Sequence, residues 1–117
     1  MVSLDEALRR GEAYLKAGAD GLFIEAQLKE EEMRTIGRHF DVPLMANMLE
    51  GGRTPILKPA QLEELGFRLV IYGISLLMRI TRTMQAALAD IASDELKGVG
   101  TGVGFEDCKT IVGMFKW

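Results

Sequence analysis

Apolar positions recur along this chain in two alternating rhythms, a helical stripe and then a short run of consecutive apolar residues. Leu4, Leu8, Gly11 and Leu15 share one helical face while Arg9, Arg10, Glu12 and Lys16 fall elsewhere. That spacing predicts a helix from about Leu4 to Ala17. Ser3 and Glu6 have the form of a capping box at its start, and Gly18 supplies a left-handed stop. After Ala19-Asp20-Gly21, the run from Leu22 to Glu25 reads as a strand. A strongly charged helix is predicted from about Lys29 to His39, and Val42-Pro43 leads into a second strand, Leu44 to Asn47, with proline tolerated at a strand's first residue. The glycine-rich loop from Met48 to Lys58 follows. Pro59 suits the first position of a short helix to Leu65, which Gly66 stops, and Arg68 to Tyr72 is the third strand. Ile74, Leu77, Thr81, Met84, Leu88 and Ile91 then trace one stripe of a long helix. Leu76, Ile80 and Ala87 widen that stripe beyond what covering one sheet face requires. Lys97 to Gly104 forms a glycine-rich linker before a last short helix from Phe105 to about Gly113.

Helix and strand alternate throughout, which implies parallel strands joined by right-handed crossovers in an α/β fold. The expected organisation is one partial domain over residues 1–117, with helix-strand units in 3–96 and a C-terminal linker and short helix in 97–117. Three parallel strands are too few to close a barrel of eight, so the sheet is expected to keep open edges and an uncovered inner face.

Composition narrows the partners. Fourteen basic and seventeen acidic residues give a net charge of -3, which offers no basis for a nucleic-acid or anionic-membrane surface. The longest apolar run, Leu69 to Met78, is interrupted by Tyr72, Gly73 and Ser75 and falls short of the roughly 20 residues that span a bilayer. No basic patch followed by an apolar segment opens the chain, so a secretion signal is not expected. One cysteine, Cys108, excludes an internal disulfide and fits a reducing cytoplasm. Beside Glu106 and Asp107 it reads as an ordinary, partly buried thiol. The single histidine, His39, stands near the end of a charged helix, where a dipole contact fits better than catalysis. Met33, Met45, Met48, Met78, Met84 and Met114 read as core or interface filler.

Candidate chemistry gathers where strands end. The strand of Leu22, Phe23 and Ile24 closes on Glu25, and that of Leu44, Met45 and Ala46 closes on Asn47. A carboxylate there serves equally as a solvated group or a cap for the next helix, and an asparagine before a glycine-rich stretch equally forms a turn. The loop Glu50-Gly51-Gly52-Arg53-Thr54-Pro55 follows, with two glycines that allow a backbone to fold closely over a ligand.

These phrases, with Val70-Ile71-Tyr72-Gly73-Ile74-Ser75, resemble the isocitrate lyase and phosphoenolpyruvate mutase superfamily over about Asp5 to Phe115. The resemblance implies the last three strands and final helices of a (β/α)8 TIM-type barrel. It further implies a carbon-carbon lyase or phosphonopyruvate-type mutase acting on small 2-oxo or hydroxy acids, through an enolate held against magnesium. By that resemblance Glu25 belongs to the substrate site and to the outer coordination sphere of the metal, and Asn47 sets its amide against the substrate carboxylate. Leu49, where the methylisocitrate lyase branch has threonine, also contacts substrate, and Gly51, Gly52, Arg53 and Thr54 form the loop over it. That branch places an arginine three residues after the hydroxyl residue, whereas here Met78 stands three after Ser75 and Arg79 one later. Together with Leu49, this argues against a tricarboxylate substrate and toward carboxyvinyl-carboxyphosphonate phosphorylmutase-like or oxaloacetate decarboxylase-like relatives. Gly73 replaces a proline and Ile24 another. The family's magnesium-binding aspartates and its lysine-x-cysteine-glycine-histidine loop belong to earlier strands and match nothing here, so this chain alone is expected to be inactive. The family's last helix packs onto a neighbouring subunit, which implies a homo-oligomer or pairing with a complementary N-terminal half. A non-enzymatic half-barrel assembly module is the alternative. A flavodoxin-like phosphate-binding domain is a third reading, weakened by a loop without phosphate-cradling glycine spacing or lysine.

Overall fold

The computed structural model describes residues 3–25 and 27–114. Its first helix, α1 (Leu4–Lys16), begins where the Ser3 hydroxyl accepts the Glu6 amide at 3.3 Å, while the Glu6 carboxylate is taken by Arg9 at 2.6 Å. That hydrogen bond, ahead of the simple charge attraction, holds the Glu6 carboxyl below its ordinary pKa. The other elements are β1 (Leu22–Phe23), α2 (Glu30–His39), β2 (Leu44–Asn47), α3 (Pro59–Glu64), β3 (Phe67–Ile71), α4 (Ser75–Ala92) and α5 (Phe105–Ile111). The three strands form one parallel sheet in the order β1-β2-β3. The α/β alternation expected from the sequence is therefore present.

The chain divides into two compact units, one through Leu76 and one from Leu77 onward. In the first, Leu44 and Ala46 point to the helix-covered side of β2 and are buried, whereas Met45 and Asn47 point the other way and are half-buried. Met33 and Ile36 of α2 and Leu62 of α3 close the covered side with no exposed surface. Met48 is equally enclosed, so Met33 and Met48 are core filler as expected. Met78, Met84 and Met114 are exposed in the single chain.

Helix α2 approaches the turn between α3 and β3 by backbone alone. A Cβ on Gly37 would lie 1.6 Å from the Leu65 carbonyl oxygen, and Gly66, at φ +95°, faces it with no side chain. His39 Nε2 meets Glu12 Oε1 at 2.7 Å, so this histidine joins α2 to α1.

On the far side of the sheet the register sets Phe23, Met45 and Leu69 in one row, and Asn47 beside Ile71. Phe23, Leu69 and Ile71 are exposed there, so the expected open inner face is present. A register irregularity between Leu44 and Met45 lets β3 advance two residues, Phe67 to Leu69, against one step of β2.

The second unit holds most of α4 and all of α5. Asp90 accepts hydrogen bonds from the backbone N–H groups of Lys97 and Gly98 at 2.9 and 2.8 Å, which ties the linker back to α4. Cys108 is exposed on α5, unlike the partly buried thiol expected, because α5 has no buried residue and hence no covered face to shelter it. Among the described residues no helix is long and apolar enough to cross a membrane.

Candidate functional site

Asn47 is the last residue of β2, and the ladder continues past it through the Met48 N–H to the Ile71 carbonyl at 2.9 Å. Its Oδ1 is buried without a hydrogen-bond partner. A Cβ added to Gly73 would lie 3.7 Å from that oxygen, so the segment leaving β3 passes directly over the amide. Ser75, the first residue of α4, is 6% exposed, and its Oγ is the other buried side-chain oxygen without a partner among the described residues. A buried polar atom left unpaired costs on the order of 1–3 kcal/mol, so each of these two oxygens marks a place where a water or a ligand could bond.

Glu25 lies two residues beyond β1, which ends at Phe23 rather than at Glu25. The chain leaves the ladder early because the Gln27 side-chain amide donates to the Ile24 carbonyl and the Leu28 N–H donates to Glu32 Oε2 at 2.6 Å. Glu25 is exposed and lines an open cleft of about 300 Å³ with Arg10, Gly11 and Tyr14 of α1. The Arg10 Nη2 donates to the Tyr14 hydroxyl at 2.8 Å. Asn47 thus stands at the carboxyl end of β2, and Glu25 just beyond the carboxyl end of the adjacent parallel strand β1. Buried Gln27, which fixes the turn carrying Glu25, escaped the sequence reading. Only its place just after a strand end marked it.

The loop has a local explanation of its own. Gly52 donates to the Leu49 carbonyl at 2.9 Å, Gly51 takes φ +77°, and a Cβ on Gly52 would meet that same carbonyl oxygen at 2.9 Å. Both glycines are therefore needed for a tight turn, whatever the loop covers. Leu49 and Thr54 are half-buried, and Arg53 is exposed. The Leu57 N–H lies 3.4 Å from Met48 Sδ, so the loop's far end rests on the core.

Parallel strands joined by helices, with polar side chains collected where the strands end, fit a segment of a (β/α) barrel. The phosphoenolpyruvate phosphomutase family matches residues 2–92. The chain belongs to that family, within the PEP mutase/isocitrate lyase superfamily. It is 40% identical over 115 residues to 2,3-dimethylmalate lyase of Eubacterium barkeri, covering 97% of this chain and 40% of that enzyme. Against 2-methylisocitrate lyase of Bacillus subtilis strain 168 it is 46% identical over 82 residues, 70% of this chain and 27% of that enzyme. The crystal structure of a 2,3-dimethylmalate lyase, triclinic form, superposes with a TM-score of 0.85 at 27% identity, over 96% of this chain and 40% of that one. The chain thus spans about 40% or less of the length of these relatives and is a partial barrel of their type.

Proposed function

We propose that this chain supplies the C-terminal strands of a barrel enzyme that makes or breaks a bond beside the carboxylate of a small 2-oxo or hydroxy acid. The observation that carries this reading is Asn47, an uncharged amide at the carboxyl end of the central strand, whose buried side-chain oxygen has no hydrogen-bond partner among the described residues. An amide can orient a carboxylate through its N–H groups without adding charge. Glu25 serves from the adjacent strand end, and Leu49 with the turn of Gly51, Gly52, Arg53 and Thr54 covers the same mouth. Residues 1–117 act as one partial domain in this reading, in the cytoplasm.

Magnesium is the cofactor this reading implies, and it is bound through about six oxygen ligands, several of them water or substrate. Among the described residues no group of three or more His, Cys, Asp or Glu side chains is placed to hold a metal ion. One exposed carboxylate, Glu25, does not make such a site. Charge developing on an enolate needs a cation or convergent donors, and stabilisation of that kind is commonly worth several kcal/mol.

The purified 117-residue chain is therefore expected to turn over neither 2,3-dimethylmalate, 2-methylisocitrate, oxaloacetate nor phosphonopyruvate above buffer with magnesium. A coupled assay for pyruvate and oxo-acid products checks this. Turnover by the chain alone that Asn47→Ala abolishes would show a working site on three strands and overturn the partial-site reading.

A second reading, a non-enzymatic assembly module, draws on α4, where Leu77, Ile80, Met84, Leu88 and Ile91 are all more than half exposed. Stable association with no turnover in any reconstituted mixture would favour it.

A further inference from the structure

One wall of the cleft beside Glu25 is the edge of a strand. Leu22 turns its side chain into the core and is 8% exposed, whereas Phe23 points to the open face and is 42% exposed, yet both line this cleft. A cleft that meets alternate faces of a strand runs along its edge. Among the described residues β1 has one strand neighbour, β2, and α1 forms the opposite wall of the cleft. We infer that this edge is a docking groove for an extended segment of a separate polypeptide, which adds to β1 as a further parallel strand. The inference deepens the proposed function and rests on it for the partner, a polypeptide that supplies other strands of the barrel.

The ladder decides which atoms do the docking. The Leu22 N–H donates to the Pro43 carbonyl at 3.0 Å, with Leu22 in register with Leu44. In a parallel ladder one residue bonds to the neighbour on one side and the next residue to the neighbour on the other. Phe23 therefore directs its N–H and C=O away from β2, toward the cleft. Unpaired edge groups of this kind are a template for an added strand, and main-chain hydrogen bonds then supply the affinity. On the helix wall Ala7 and Gly11 stand four residues apart without bulky side chains, while Arg10 is held to the Tyr14 hydroxyl at 2.8 Å. The groove follows the chain from Leu22 to Glu25, the length of roughly four residues of strand or about 13 Å. Its occupant is apolar at alternate positions, because it meets Ala7 and Gly11 on one side and extends the row of Phe23 and Met45 on the other.

The test co-expresses this chain with the segment of Eubacterium barkeri 2,3-dimethylmalate lyase that precedes the matched region, and reads amide hydrogen exchange residue by residue by mass spectrometry. In the chain alone the Phe23 amide is expected to exchange at least about 10-fold faster than the Leu22 amide, and in the complex that difference should disappear. Proline is tolerated in an edge strand whose N–H faces solvent, so Phe23→Pro should leave the far-UV circular dichroism of the chain unchanged. It should nevertheless capture the segment about 10-fold more weakly than Phe23→Leu, which keeps the N–H. A Phe23 amide that stays fast in the complex, a segment that does not bind, or equal capture by Phe23→Pro and Phe23→Leu would each overturn the inference. A Phe23 amide already protected in the chain alone would overturn it as well, since a second copy would then fill the edge. Protection is read without turnover, so a protected Phe23 in a complex that cleaves nothing keeps this inference while removing the catalytic reading.

Discussion

Gly37→Ala is expected to cost at least about 3 kcal/mol of stability, enough to unfold much of a small domain whose total lies near the low end of about 5–15 kcal/mol. The added Cβ would fall 1.6 Å from the Leu65 carbonyl oxygen, 2.8 Å from its carbon and 3.5 Å from Gly66 Cα. Every one of those atoms is backbone, so no rotamer change relieves the overlap. Helix propensity works in the opposite direction, since alanine is better than glycine by about 1 kcal/mol in a helix interior. That gain is too small. To admit the methyl, α2 must move off the turn before β3, which uncovers Met33 and Ile36, both without exposed surface in the parent. Urea unfolding followed by far-UV circular dichroism should show the midpoint falling by at least about 1 M. An unchanged midpoint would contradict the close backbone packing of α2.

The isolated chain is expected to self-associate at micromolar concentration. On the open face of the sheet Phe23, Leu69 and Ile71 are 42%, 55% and 39% exposed, in neighbouring registered positions. Along α4, Leu77, Met84 and Ile91 repeat every seven residues with Ile80 and Leu88 beside them, the spacing of a seam that buries itself against another helix. Burying a large apolar side chain fully is worth about 1.5–3 kcal/mol, so either surface gives a strong drive to pair. Light scattering after size exclusion should report a mass at least twice the 12.9 kDa of the chain. Replacing Leu77, Met84 and Ile91 together with glutamine should lower that mass if α4 is the seam, while leaving the sheet unit folded. A monodisperse monomer for the parent would contradict the expectation for both surfaces.

What the residue pattern made legible follows from how local each signal is. Strand β2 runs over Leu44–Asn47 as expected, since Pro43 and the glycine-rich loop bracket a short apolar run. Helix α1 ends within one residue of expectation because Gly18, at φ +105°, stops it. Strand β3 begins one residue early, at Phe67, because the turn is completed at Gly66 and Phe67 drops at once into the core at 3% exposure. Strand β1 stops short at Phe23, for the turn after it depends on a hydrogen bond from the Gln27 amide to the Ile24 carbonyl and one from the Leu28 N–H to Glu32, which no periodicity reveals. The same holds for the candidate site. The position of Asn47 was readable from the strand that carries it, whereas the approach of Gly73, whose Cβ would lie 3.7 Å from the amide oxygen, was not. Gly37 carried a signal of another kind, a glycine inside an otherwise charged helix, whose reason lies in a turn nearly thirty residues away.

The central claim is that Asn47 belongs to a catalytic mouth completed by other strands of a barrel, and fragment complementation tests it most directly. The segment of Eubacterium barkeri 2,3-dimethylmalate lyase preceding the region matched by this chain is expressed separately and mixed with the chain, and cleavage of 2,3-dimethylmalate is measured with magnesium present. The account predicts no turnover from either part alone, turnover from the mixture, and a loss of at least about 100-fold when the chain carries Asn47→Ala, the scale seen when a donor to developing charge is removed. A mixture that associates and turns over equally well with Asn47→Ala would contradict it.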